Sequence, residues 1–241
     1  LLDRFLEQVL ELQVDKAVGV RKAVLDFYDA ALGVVVTVHG LVLGAQCVVF
    51  LLEDENAGVK KRSIRSLISV FQLTLCLVAK GEDIGEEGAR LWNIVQEAVK
   101  KVEGMAIDEN GNTGCKLSAS KFLEQSLLFV TGDTIPACAP VLLQPAALPA
   151  KDSVVTKQAA MKIGTSMLLT VIKMLKEIKS TGNDGPLAIS CIRSASTILE
   201  SRPQFAGKVV PILLSFCQLD SYKVGGVCGC DHDWHRCLQY S

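Results

Sequence analysis

The stretch DENAGVKKR at residues 54–62 repeats in outline a phrase met earlier as DKAVGVRK at residues 15–22, and a looser copy, NGNTGCK, occupies residues 110–116. Asp15, Asp54 and Asn110 fall in register. So do Gly19, Gly58 and Gly114, then Val20, Val59 and Cys115, then Arg21, Lys60 and Lys116. A phrase that keeps its glycine and its cation at fixed offsets points to one supersecondary unit used again. The intervals are 39 residues (15 to 54) and 56 residues (54 to 110), so the second is expected to carry an insertion. A period near roughly 40, with an acidic turn residue before a Val-Arg/Lys helix start, is the pattern of HEAT-type helical repeats.

The apolar residues around each copy have helical spacing. Leu2, Phe5, Leu6, Val9 and Leu10 share one face, and after the Asp15 turn Val20, Val24, Phe27, Tyr28 and Ala31 share another. Ile64, Leu67, Ile68, Phe71 and Leu75 follow the second copy, then Leu91, Ile94, Val95, Ala98 and Val102, and Ala119, Leu123, Leu127 and Val130 follow the third. Short connections favour antiparallel neighbours. Aromatics make up only 5 % of a chain that is 49 % hydrophobic, so Leu, Val, Ile and Ala must build the core, which suits helix-on-helix packing. The expected fold is all-α: a HEAT/armadillo-like superhelix of antiparallel helix pairs, about five or six of them.

The phrase also has an expected chemistry. Asp15, Asp54 and Asn110 are placed to cap the orphan N–H groups that open each second helix. Arg21, Lys60 and Lys116 are placed to reach the acidic turn of a neighbouring repeat, giving a ladder along the stack. The competing reading is a set of unrelated helix starts that share common capping residues, and the third copy fits either.

Thr131 to Asp152 holds four of the seven prolines and reads as a Pro-rich loop, about 131–152, inside a helical-repeat domain spanning 1–222. Beyond it a long helix is expected from Val154 to Lys179, and a last pair around Pro203. Residues 223–241 form a Cys/His-rich tail. Its Cys228, Cys230, His232, His235 and Cys237 are weak metal candidates, because C-x-C-x-H-x2-H-x-C is no paired-ligand hairpin. The tail is expected to be disordered or non-native, the latter from intron read-through or a shifted frame, with no metal.

Several function classes recede. A net charge of −1 gives no global push toward nucleic acid or anionic lipid. No Walker, dinucleotide or nucleophile-elbow motif is present, and His39 is the only histidine outside the tail, so no enzyme and no cofactor are expected. The scattered cysteines, Cys47, Cys76, Cys115, Cys138, Cys191 and Cys217, read as reduced thiols of an intracellular protein. The opening LLDRFLEQVLEL is already amphipathic helix, so the fragment is expected to begin inside a larger protein. Ala30 to Leu52 runs 23 residues without a charge, long enough to span a bilayer. Gly33, Thr37, His39, Gly40, Gly44 and Gln46 argue instead for a disturbed or wrongly translated repeat segment, and no membrane is expected.

With these residues in hand, the chain resembles the symplekin family's N-terminal helical-repeat domain, through LLDRFLEQVLELQVDKAVGVRK, LLEDENAGVKKRSI, SASKFLEQ and LAISCIRSASTILESRPQF, over roughly residues 1 to 222. The resemblance implies a nuclear, non-catalytic scaffold of the pre-mRNA cleavage and polyadenylation machinery. It implies two kinds of partner: other cleavage and polyadenylation subunits, and the phosphatase that acts on the RNA polymerase II C-terminal tail. It also implies partner contacts at Lys121, Phe122 and Glu124, in the KFLE run 121–124. Family members carry charges on the outer face of the helix in the 30–52 region, so this sequence departs there and the first inter-repeat packing is open. The alternative function is an RNA- or phosphopeptide-binding solenoid, using Lys60, Lys61, Arg62 and Arg65 or the row Lys157, Lys162, Lys173, Lys176 and Lys179.

Overall fold

The computed structural model describes residues 2–32, 37–79, 85–132, 157–181 and 185–217. Among them run nine α-helices and no strand. They are α1 (Leu2–Leu10, continued by the 3-10 turn Glu11–Val14), α2 (Val18–Leu32), α3 (Val38–Leu51), α4 (Ala57–Ala79) and α5 (Gly85–Ile107). Then come α6 (Thr113–Val130), α7 (Lys157–Thr181), α8 (Gly185–Ser201) and, after the turn Pro203–Phe205, α9 (Ala206–Cys217).

The helices form two layers. The even-numbered helices α2, α4, α6 and α8 lie side by side in chain order, and α1, α3, α5, α7 and α9 form the second layer. Successive helices pack across the layers, so each pair buries its apolar face partly against the next pair, which is the stacking logic of a helical-repeat solenoid. The described residues give four pairs and a ninth helix. The unequal intervals between the repeated phrases come from helix length. The longer second interval is taken up by α4 and α5, with 23 residues each against 15 in α2 and 14 in α3, and not by a loop insertion.

The three copies of the repeated phrase hold the same register. Val20 and Arg21 N–H donate to the Ala17 carbonyl, Val59 and Lys60 to Asn56, and Cys115 and Lys116 to Asn112. The capping residue, however, is not the one expected. The Asn56 side chain accepts from Gly58 N at 2.9 Å and Val59 N at 3.3 Å, and the Asn112 side chain from Cys115 N at 3.2 Å. The acids stand earlier and shape the turn: Asp15 accepts from Ala17 N and Asp54 from Asn56 N, both at 2.7 Å. In the third copy Asp108 does this, accepting from Asn110 N at 3.1 Å. Short acidic side chains commonly fold back on the N–H two residues on.

The uncharged stretch also has a physical explanation. It is shared between the end of α2 and α3, and α3 is flanked by α1 and α5 within its layer and covered by α4 across it. Eight of its residues are buried, including Leu41, Val42, Cys47, Val48 and Leu51. A helix that is apolar nearly all round belongs in an interior. The first inter-repeat packing is therefore formed, and it is tight. Tyr28 is fully buried and its ring lies where a Cβ on Gly44 would stand, 1.9 Å from Cε2. Its hydroxyl donates to the Leu41 carbonyl at 3.4 Å. Thr37 caps α3, its hydroxyl accepting from Gly40 N at 3.0 Å. Among the described residues no helix is long and apolar enough to cross a membrane.

Candidate functional site

α6 lies between α4 and α8 in the even layer, which fixes what its KFLE run presents. Consecutive helical residues point about 100° apart, so the four cannot share one face. Phe122 and Leu123 are wholly buried, and the Phe122 ring meets Phe71 of α4 edge-on at a centroid distance of 6.0 Å. Glu124 is buried as well. One carboxylate oxygen accepts from Ser194 Oγ of α8 at 2.6 Å, and the other holds the Lys121 ammonium at 2.6 Å. Ser194 Oγ stands 3.5 Å from Ser120 Oγ, which in turn lies 3.7 Å from Cys191 Sγ. The Lys121 side chain remains 55 % exposed. Of the three residues expected to touch a partner, only Lys121 offers surface. Phe122 is core, and Glu124 ties α6 to α8 while orienting Lys121.

Lys121 stands on a cleft of about 450 Å³ between α4 and α6. Its walls are Gly58, Lys61, Arg62, Arg65 and Ile68 from α4, with Ser118, Lys121 and Gln125 from α6. No acid lines it. Arg62 is committed to Asp26 and, at 2.9 Å, to Asp29 of α2. Burial pushes the Asp29 carboxyl up from its usual range, against the opposing pull of Ser66 and Arg62. Lys61 and Arg65 are exposed, so with Lys121 they make a cationic rim. The polar stripe Ser118, Lys121, Gln125, at steps of three and four, was readable on α6, as was the basic start of α4. What joins them is the packing of α4 on α6, which no local pattern announces. Ser194, 70 residues from Glu124, carries no sequence signal either.

The residues expected to form a ladder are brought together at Arg21 and Asp54 but not at Lys60 and Asn110. Arg21 of α2 grips Asp54 with two bonds, Nε at 2.6 Å and NH2 at 3.0 Å, while NH1 donates to the Asp15 carbonyl at 2.7 Å. Burial alone would raise the Asp54 carboxyl, but the Arg21 and Asn56 hydrogen bonds outweigh it and hold it below its usual range. Among the described residues Lys60 makes no ion pair or hydrogen bond with Asn110, and Lys116 donates to the Glu109 carbonyl of its own turn at 3.5 Å. Asn110 is neutral and exposed, and the acid that accepts a backbone N–H in that turn is Asp108.

No group of three or more His, Cys, Asp or Glu that could hold a metal occurs among the described residues. Cys228, Cys230, His232, His235 and Cys237 lie outside them, as does the expected boundary at 222. Cys47, Cys76, Cys115 and Cys191 are buried, and burial pushes the Cys47 thiol up to about 12. A thiol so hard to ionise is a poor nucleophile or ligand.

Among solved structures, an engineered protein is similar over 90 % of this chain and 90 % of its own at 14 % identity, with a TM-score of 0.34, which carries no argument. Residues 56–225, which include the basic cleft, α6 and the Glu124–Ser194 link, match the family described as Symplekin/PTA1 N-terminal, and the chain belongs to that family.

Proposed function

We propose that this domain docks the phosphatase of the RNA polymerase II C-terminal tail, and that Lys121 with the cleft between α4 and α6 is the contact. The coarse role comes with the family: a scaffold in mRNA 3′-end processing. The finer reading places the domain in the nucleus, among cleavage and polyadenylation subunits, without a catalytic task of its own. One observation supports it above the others. Lys121 is held at the surface by a buried carboxylate, beside exposed Lys61 and Arg65, in a cleft with no acid of its own. Such a surface fits an acidic patch on a folded partner.

RNA or a phosphopeptide is the second reading, favoured by the same cations. Against an extended RNA track, Lys162, Lys173 and Lys176 are exposed on α7, in the other layer from Lys61 and Arg65.

Calorimetric titration of the chain with the phosphatase tests the proposal. Saturable binding that Lys121→Glu weakens at least about tenfold, with helical content unchanged, is expected for a central charged contact. Undiminished affinity in Lys121→Glu and in Lys61→Glu/Arg65→Glu overturns it. Binding of RNA that falls linearly on a log–log salt plot, with no phosphatase binding, puts the second reading first.

A further inference from the structure

We infer that the odd layer carries a second, independent docking groove, beside α1 and α3, built for an amphipathic basic helix of a partner protein. The groove consists of two adjoining clefts of about 480 Å³ each, one lined by Glu7, Leu10, Glu11, Leu43 and Cys47, the other by Val14, Asp15, Glu53 and Glu55. Phe50 and Gln13 line both and form the divide between them.

Three features define its occupant. The first is apolar surface without cover: Phe50 is 53 % exposed and Val14 69 %, and the two line one cleft. Scattered exposed apolar residues mean little, but a cluster framed by charges is the usual look of an interaction site. The second is the sign of that frame. Six acids line the clefts; Arg21 holds Asp54, Lys101 holds Glu53 and His39 faces Glu7, which leaves Glu11, Asp15 and Glu55 against Lys16. Glu11 and Glu55 make no ion pair among the described residues. The third is an acceptor in want of a donor: the Gln13 side-chain oxygen at the divide is buried and accepts no hydrogen bond.

Apolar anchors between acidic rims, with a waiting acceptor, are complementary to a helix whose one face is Leu-like and whose flanks are Lys or Arg. The charge is opposite to that of the cleft between α4 and α6, so one ligand cannot suit both. The groove therefore does not depend on the phosphatase reading.

The test uses the full chain and two synthetic helical peptides, one with a leucine face flanked by lysines and its counterpart with glutamates in place of lysines. Calorimetry should show saturable binding of the lysine peptide and none of the glutamate peptide. Phe50→Asp should weaken that binding at least about tenfold. Glu11→Lys/Glu55→Lys, at exposed positions that leave the core untouched, should weaken it by a similar factor. Lys121→Glu should change nothing. Equal binding of both peptides, or binding that survives Phe50→Asp and the charge reversal, overturns the inference. A Phe50-dependent dimer in light scattering also overturns it, because the groove would then be filled by a second copy of this chain.

Discussion

Replacing Gly44 with alanine should destabilise the domain, although alanine is the better helix former. A Cβ at this position would stand 1.9 Å from both Cε2 and Cζ of Tyr28 and 2.4 Å from its hydroxyl. Carbon atoms in contact settle near ~3.5–4.0 Å, so the ring would have to retreat by roughly 1.6–2 Å. Tyr28 has nowhere to go at low cost: it is fully buried, and its hydroxyl is bonded to Leu41 one turn before Gly44. Overpacking of this kind costs about 1–3 kcal/mol, and losing the buried hydrogen bond adds about 1 kcal/mol. The helix gains about 1 kcal/mol from Gly→Ala. The balance is a loss of about 2 kcal/mol, which for a chain of this size lowers Tm by roughly 4–8 °C. Thermal unfolding followed by circular dichroism measures it. The decisive control is Tyr28→Leu, which removes the ring atoms that the methyl would strike. Tyr28→Leu is itself destabilising, but the double variant should be more stable than the sum of the two losses by about 1–3 kcal/mol. A Gly44→Ala chain that melts at or above wild type would refute the close approach of α2 to α3. A strictly additive double variant would do the same.

Three further outcomes follow from the turns and the ion pairs. Asn56→Ala and Asn112→Ala should each cost about 1 kcal/mol in denaturant unfolding, whereas Asn110→Ala should cost little, because it caps nothing. The Asp54 carboxyl is held below its ordinary 3.8, so its contribution to stability is present above that pH and is lost as pH falls through the folded value. Arg21→Gln should flatten that acid limb in a series of melts from about pH 5 downward. His39 of α3 lies 3.0 Å from Glu87 of α5 and 3.4 Å from Glu7 of α1, and the Glu87 bond, then the Glu7 bond, raise its pKa above 6.5. The imidazolium therefore joins three helices of the odd layer fully below pH 6.5, and its contribution disappears as pH rises through the folded value. His39→Asn should remove the alkaline fall in Tm while leaving the acid limb unchanged.

Much of the architecture was legible because the repeated phrase marks backbone register. Residues 17, 56 and 112 accept the same pair of helix-opening hydrogen bonds, which is what the alignment of Val20 with Val59 and Cys115 implies. Helix length was not legible in the period, since 23-residue helices in α4 and α5 stretch the interval without altering the phrase. Nor was the capping role. Asp and Asn are both turn formers, and whether a side chain caps or bends the preceding turn depends on a two-residue offset fixed only by the folded backbone. The uncharged 30–52 stretch left the first inter-repeat packing open for a related reason. Absence of charge reports that a helix is enclosed, not what encloses it, and here four other helices do.

The candidate site was half legible for a geometric reason. A contiguous run such as Lys121–Glu124 looks like one epitope in sequence, but a helix turns most of it inward. A charge-rich motif then divides into a displayed residue and the buried residues that hold it. The same geometry explains why a net charge of −1 was uninformative. In a two-layered stack each outward stripe keeps to its own layer, so cations can gather between α4 and α6 while carboxylates gather beside α1 and α3, and the sum still approaches zero. Near-neutrality in a solenoid therefore does not argue for a bland surface.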